Sequence, residues 1–265
     1  MTSQQSSRPR VGVVFRPQLS PEQLAGFAAL AEQSGLDDLW VWEDCFLEGG
    51  LTTATAALAW TTSVRIGLGL MPAPLRNPAL AAMEIATLAR LFPGRFVPAT
   101  GHGVQSWMKQ TGAAVASPLT LLREWSTATR SLLHGQTVTV AGQYIQLTDV
   151  ALDWPPQVVP PLLIGASGPR SLALAGEISD GVVLHSGYTP EGIRTAVQSA
   201  AIRPEQEVVV YAAPPPEATA ADVAGDIRAL ADAGASAVII QAPQADQRNA
   251  ETIVTLAADA RGLLA

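Results

Sequence analysis

The chain has 265 residues, of which 48% are apolar and 15% charged, with a formal net charge of -7. That balance, with no cluster of Lys and Arg, excludes a protein that grips nucleic acid by neutralising its phosphates, and no apolar run approaches the roughly 18 residues of a membrane span. The single cysteine, Cys45, rules out an internal disulfide and suits a reducing cytoplasm.

The opening "MTSQQSSRPR" lacks the apolar stretch of a signal peptide, so residues 1–10 are expected to form a disordered lead and residues 11–265 a single domain. Residues 11–15 then read as a strand. The run Ser20-Pro21-Glu22-Gln23 predicts a helix start, with Ser20 as cap, Pro21 in the first position and Gln23 closing a capping box. That helix places Leu24, Phe27, Ala28 and Ala31 on one face and stops at Gly35. Residues 39–42 are the second strand and 51–60 the second helix. Residues 64–70 follow as a strand, then a helix capped by Asn77-Pro78; residues 95–99 follow, then a loop and a helix capped by Ser117-Pro118.

Residues 135–150, "GQTVTVAGQYIQLTDV", alternate on either side of Ala141-Gly142 and predict a two-stranded hairpin outside the main repeat. The repeat resumes with residues 162–165 before a helix opened by Gly168-Pro169, and 181–184 before one capped by Thr189-Pro190. Residues 208–212 lead into a helix over 219–233, and 237–241 into a closing helix from about Arg248. Eight strand and helix units in unbroken alternation predict an α/β fold, a (β/α)8 TIM barrel with a small β-hairpin inserted between the fourth helix and the fifth strand. The rival, a doubly wound dinucleotide-binding sheet, needs a glycine-rich first turn, and "RPQLSP" has no glycine.

In such a barrel the chemistry belongs at the C-terminal strand ends. Three of these are rich in glycine: Gly67 and Gly69 before Pro72 and Pro74, "TGHGVQSWM" at residues 100–108, and "GASGPRS" at residues 165–171. Glycine there admits a flat or anionic ligand close to the backbone. In "GASGPRS", Gly168-Pro169 opens a helix whose first amides, with Arg170 and Ser171, suit a phosphate, although the same residues also simply shape a tight turn. Trp40, Trp42 and Trp107 stand near strand ends where they can wall a pocket, whereas Trp60, Trp125 and Trp154 read as packing. His134 reads as a helix C-terminal cation, His185 as a rim residue, and Cys45 as a buried inert thiol or a reactive one at the mouth.

Taken together, "LWVWEDCF", "GLGLMPAPLRNPA", "GRFVPATGHGVQSWMKQTGA" and "LLIGASGPRSLALAGEISDGVVL" resemble the bacterial luciferase-like superfamily, within it the branch that uses the deazaflavin coenzyme F420, and there the methylenetetrahydromethanopterin reductase-like oxidoreductases. The resemblance covers nearly the whole chain. It implies a non-proline cis peptide at Gly69-Leu70, bulging against the back of a deazaflavin ring. It further implies a coenzyme site of Asp44, Gly69, Leu70, Met71, Gly101, His102, Gly103 and Val104, with Gly165, Ala166, Ser167, Gly168, Arg170 and Ser171 forming the phosphate grip.

Asp44 and His102 are the implied catalytic groups, Arg16 and Trp107 the implied substrate contacts, and no metal is expected. His102 is equally readable as a solvent-facing loop residue, and Arg16 as a partner of Glu43 or Asp44. Sugar-phosphate dehydrogenases of this family carry a histidine after the aspartate and a glutamate after the strand-four glycine. Here Cys45 and Val104 stand in those places, so the resemblance does not extend to that acid-base pair or that substrate. The implied activity is hydride transfer between F420 and a small-molecule substrate. The rivals are an FMN-dependent monooxygenase and a non-catalytic coenzyme-binding protein. Relatives are usually homodimers, and the apolar helices after strands two to four would supply that interface.

Overall fold

The computed structural model describes residues 8–243 and 250–264. The elements run β1 (Arg10–Phe15), α1 (Leu24–Gln33), β2 (Asp38–Val41), α2 (Gly50–Trp60), β3 (Arg65–Pro72), α3 (Pro78–Leu91), β4 (Phe96–Gly101), α4 (Gln105–Gln110), α5 (Pro118–Leu133), β5 (Val138–Ala141) and β6 (Gln146–Val150). They continue β7 (Leu163–Gly165), α6 (Pro169–Ile178), β8 (Gly181–Leu184), α7 (Pro190–Ala200), β9 (Glu207–Ala212), α8 (Ala220–Asp232), β10 (Ala237–Ile240) and α9 (Ala250–Gly262).

Eight strands close a parallel ring in the order β1, β2, β3, β4, β7, β8, β9 and β10, with β10 pairing back onto β1 through Val11 opposite Val238. This is the (β/α)8 barrel expected. Its strands carry continuous apolar runs such as "VVVYA" and "AVII", as suits parallel strands covered on both sides. One set of side chains, including Val13, Ile66, Ile164 and Val238, meets the outer helices. The other, including Val14, Trp40, Val97, Leu163, Val209 and Ile239, fills the barrel interior.

Local chemistry sets most helix starts. Asn77 Oδ1 accepts from the amide of Ala79 at 2.9 Å, and Thr189 Oγ1 from that of Gly192 at 3.1 Å. Ser20 does not cap as expected. The chain first makes a 3₁₀ turn over Pro21–Gln23, and the Gln23 amide bonds the Ser20 backbone carbonyl at 3.0 Å, leaving the hydroxyl without that donor. Ser117 fails for another reason, because its hydroxyl is taken by Thr120 Oγ1 at 2.7 Å.

The hairpin of β5 and β6 turns over residues 142–145 rather than tightly at Ala141-Gly142. It does so because Glu124 of α5 accepts the amides of Gln143, Tyr144 and Ile145 at 2.8, 2.8 and 3.0 Å, pinning the loop to the barrel wall. Trp125 is fully buried as packing, but Trp60 and Trp154 stand 54% and 71% exposed, so the packing role expected of them does not hold.

The last residues of the expected lead are ordered. Arg10 opens β1, and Arg8 pairs with Asp37 at 3.4 Å; residues 1–7 lie outside the described residues, as does Arg248. At this N-terminal end of the strands, the buried carboxylate of Asp38 takes Arg10 at 3.1 Å and Arg65 at 3.7 Å, and both arginines pair with Glu207. Among the described residues, no helix is long and apolar enough to cross a membrane.

Candidate functional site

The opposite, C-terminal ends of the strands open into a cavity of about 370 Å³. Its most distinctive wall is β3. Pairing with β4 runs Ile66 to Phe96, Gly67 to Val97 and Leu68 to Pro98, then breaks and resumes at Met71 to Thr100. Gly69 and Leu70 therefore oppose Ala99 alone, which is a β-bulge. The Gly69-Leu70 peptide is cis, as the resemblance implied, and so is the Cys45-Phe46 peptide, for which the sequence reading had no signal. Thr100 Oγ1 donates to the Met71 carbonyl at 3.0 Å and ties the strands just beyond the bulge.

The glycines around this wall make room for the protein's own side chains. A Cβ on Gly165 would lie 2.3 Å from Leu70 Cδ2, and one on Gly69 would lie 2.1 Å from the Tyr211 hydroxyl. The expectation that strand-end glycines leave space for a ligand is corrected at these positions. They let Leu70 stand in the cavity mouth and let Tyr211 close the floor beneath the bulge.

After β2 the chain delivers two carboxylates to the cavity. Glu43 is buried and accepts both terminal nitrogens of Arg76, one of them at 2.9 Å, together with the Gly50 amide at 2.8 Å. That clamp holds the loop start and presents the adjacent Asp44. Burial raises the Asp44 carboxyl above its ordinary range, against the pull of the Arg16 charge and a hydrogen bond from Gln18. Burial, then the charges of Glu43 and Asp44, push the half-buried Cys45 thiol up as well, which disfavours the reactive thiolate.

Arg16 is not among the lining residues. Its guanidinium lies over the Trp42 ring at 5.8 Å, donating to the Ala242 carbonyl and to Gln18. The expected role as a direct substrate contact gives way to packing of Trp42 and a field on Asp44.

After β4, His102, Gly103, Val104 and Trp107 all line the cavity. Gly103 takes φ +69°, which favours glycine, and α4 then carries Trp107 to the rim. His102 Nδ1 donates to the Gly103 carbonyl at 2.9 Å, which fixes the tautomer and leaves Nε2 for a ligand. Met71 is fully buried in the outer core and Gly101 is buried beside Leu70; neither lines the cavity as expected.

After β7, Gly165, Ala166 and Ser167 line the cavity, whereas Gly168, Arg170 and Ser171 lie beyond it at the tip of α6. The Ser171 hydroxyl is turned back, accepting the Gly168 amide at 3.2 Å and donating to the Gly168 carbonyl at 2.9 Å. It locks the helix start and is not a free phosphate ligand, because its one hydrogen is already given to the Gly168 carbonyl.

Sequence reading missed Glu43, Pro72, Val183 and Tyr211 as lining residues and left His185 only at the rim. His185 repeats the His102 pattern, donating from Nδ1 to the Ser186 carbonyl at 2.6 Å, and stacks edge-on with Tyr188 at 5.0 Å. The available signal was position, since His185 and Tyr211 stand at or just past the C-terminal ends of β8 and β9.

The cavity thus combines apolar walls, a projecting Leu70 and a few ionisable groups at its edge, the composition of a site for a flat organic molecule. Bulge, apolar walls and nearby helix tip are compatible with a planar, phosphate-bearing coenzyme, and Leu70 packs so close to Gly165 that a larger residue there would displace it.

The 5,10-methylenetetrahydromethanopterin reductase of Methanolobus tindarius is 32% identical over 190 residues, covering 72% of this chain and 58% of that protein. The F420-dependent glucose-6-phosphate dehydrogenase of Kineococcus radiotolerans is 33% identical over 185 residues, covering 64% and 54%. The chain therefore spans little more than half the length of these curated relatives. Among solved structures, the coenzyme F420-dependent tetrahydromethanopterin reductase from Methanopyrus kandleri superposes with a TM-score of 0.84 over 98% of this chain and 100% of that one, at 17% identity, which marks a shared fold. The sequence profile described as luciferase-like monooxygenase matches residues 2–260, and on that match the chain belongs to the luciferase-like monooxygenase family.

Proposed function

We propose that the chain is an oxidoreductase dependent on coenzyme F420, with hydride passing between that deazaflavin and a small organic substrate. The observation that carries this reading is the β3 bulge, which stands Leu70 in the mouth of a largely apolar cavity and offers a backstop for a planar ring. Relatives and neighbours named for F420 dependence support the choice of coenzyme. When bound, a deazaflavin supplies a ring carbon that gives or takes hydride.

The chain's own part is alignment and proton handling. Leu70, Ala166 and Trp107 bound the space for the ring and the substrate. Asp44, its carboxyl raised by burial, is placed to hold the proton that must accompany hydride when a carbonyl is reduced, and His102 Nε2 is the second group facing the mouth. The amides of Arg170 and Ser171 have no carbonyl to meet within α6 and, with the exposed Arg170 guanidinium, would hold the coenzyme phosphate.

The test is a fluorescence titration of the pure protein with F420 and with FMN side by side; preference for FMN overturns the coenzyme assignment. The family description favours that second reading, an FMN-dependent monooxygenase, which would also consume oxygen. Tight F420 binding without hydride exchange for any unsaturated substrate would instead mark a coenzyme-binding protein. The same proposal includes a cytoplasmic homodimer that engages neither nucleic acid nor membrane. Exposed Trp60, Leu80, Met83 and Leu91 on α2 and α3 supply an apolar interface. Light scattering that reports a monomer rejects the dimer.

A further inference from the structure

Tyr211, the penultimate residue of β9, lies inside the barrel, 7% exposed, with Trp40 edge-on at 5.9 Å and Trp42 at 5.4 Å. Its phenolic oxygen crosses the interior to the bulge of β3, a strand separated from β9 in the ring by β10, β1 and β2. There Oη donates to the Gly69 carbonyl at 3.4 Å, and a Cβ at residue 69 would fall 2.1 Å from that oxygen. Glycine at position 69 is thus a requirement of the phenol, and phenol and bulge pack as one unit. The bond is at the long limit of hydrogen bonding, so the two indoles, rather than the bond itself, aim the hydroxyl at the bulge.

We propose that Tyr211 is a positioning residue that props the Gly69 carbonyl and so sets how far the bulge projects into the cavity, fixing where the ring of a bound coenzyme rests; this rests on the deazaflavin reading above. Burial drives the phenol pKa above its ordinary range, with the Trp42 indole opposing and the Asp44 charge adding, so the group remains a neutral donor across the working pH.

Tyr211→Phe keeps the ring and removes the O–H, whereas Tyr211→Leu removes the ring as well. The expected result is that Tyr211→Phe melts close to wild type and well above Tyr211→Leu, while F420 binds Tyr211→Phe about two- to threefold more weakly, less than the worth of an ordinary hydrogen bond because the contact is long. Amide resonances of Gly69, Leu70 and Met71 should move in ¹H–¹⁵N spectra of the coenzyme-free variant, with little change at the opposite end of the barrel. In a protein that binds F420, unchanged affinity of Tyr211→Phe overturns the proposal whatever the spectra show. If wild type fails to bind F420, the functional reading falls separately, and unmoved Gly69 to Met71 resonances then overturn this one while displaced resonances uphold it. A Tyr211→Phe melt as low as that of Tyr211→Leu also overturns it, because the O–H would then serve the fold and not the seat.

Discussion

Replacing Gly165 by alanine tests whether Leu70 marks the ring seat. The added Cβ would lie 2.3 Å from Leu70 Cδ2, and ordinary contact begins near 3.4 Å, so the leucine terminus must retreat by about 1.1 Å. The other near neighbours are at 3.7 and 3.8 Å and stay undisturbed, so the strain falls on one flexible, half-buried side chain. Moving it off its rotamer costs about 0.5 to 1.5 kcal/mol, and the open direction is into the cavity. The fold should therefore lose about 1 kcal/mol or less, while F420 affinity falls at least tenfold, equivalent to about 1.4 kcal/mol, because the displaced isobutyl group occupies the seat. Thermal melts and a coenzyme fluorescence titration separate the two effects. Adding Leu70→Ala to Gly165→Ala should restore much of the binding, since it removes the group that was pushed. Wild-type affinity in Gly165→Ala, or no recovery in the double variant, would refute the assignment of Leu70 to the ring seat.

Gly67→Ala makes the same chemical change against a rigid neighbour, with the Cβ 2.2 Å from the buried Trp40 ring, and should destabilise the protein by about 1 to 3 kcal/mol in a denaturant melt. Glu43→Gln removes the charge that balances Arg76; the pair is only partly buried, so about 2 to 3 kcal/mol should be lost, and coenzyme affinity should fall with it because the loop delivering Asp44 loosens. Burial pushes the Glu32 carboxyl up, but the amides of Ser63, Thr62 and Val64 and the Ser63 hydroxyl together outweigh it and hold the group down to about 2. This depressed group stabilises the fold above its ordinary value of 4.5 and loses that contribution as pH falls towards 2, so the stability gap between wild type and Glu32→Gln should be full at pH 7, narrow progressively below about pH 4.5 and be nearly gone at pH 2.

What the sequence made legible was local. Asn77-Pro78 and Thr189-Pro190 announce helices through a side chain and a ring acting within three residues, and the structure uses both. The strand at residues 181–184 has the bounds expected from its apolar run. Ser20 and Ser117 show the same local rule failing when a nearby group, the Ser20 carbonyl or the Thr120 hydroxyl, takes the bond first. The rest depended on closure of the ring. Glu43 meets Arg76 across 33 residues and Tyr211 meets Gly69 across 142, pairings that no periodicity encodes. The strand-end glycines were visible as an oddity, but their purpose lies in Leu70, Trp40 and Tyr211, which only the folded barrel brings against them.

Charge and shape are divided between the two ends of this barrel. At the N-terminal end, Asp38 with Arg10, Arg65 and Glu207 links β1, β2, β3 and β9, strands on either side of the seam where first and last elements meet. Asp37, from the adjoining loop, takes Arg261 of α9 at 2.8 Å and the Val11 amide at 2.9 Å, so the last helix is fastened to the first strand. These partners sit where a ligand would find a satisfied surface with nothing left to bind. At the other end, the strands finish in glycine and in apolar side chains, and polar atoms such as His102 Nε2 and the first amides of α6 keep unspent capacity. A barrel closed by ion pairs at its base can carry a weakly bonded, adaptable mouth, because the strands that deliver the mouth residues are already fixed in register below. Substitutions at the base should therefore change melting behaviour first, and those around Leu70 should change binding first.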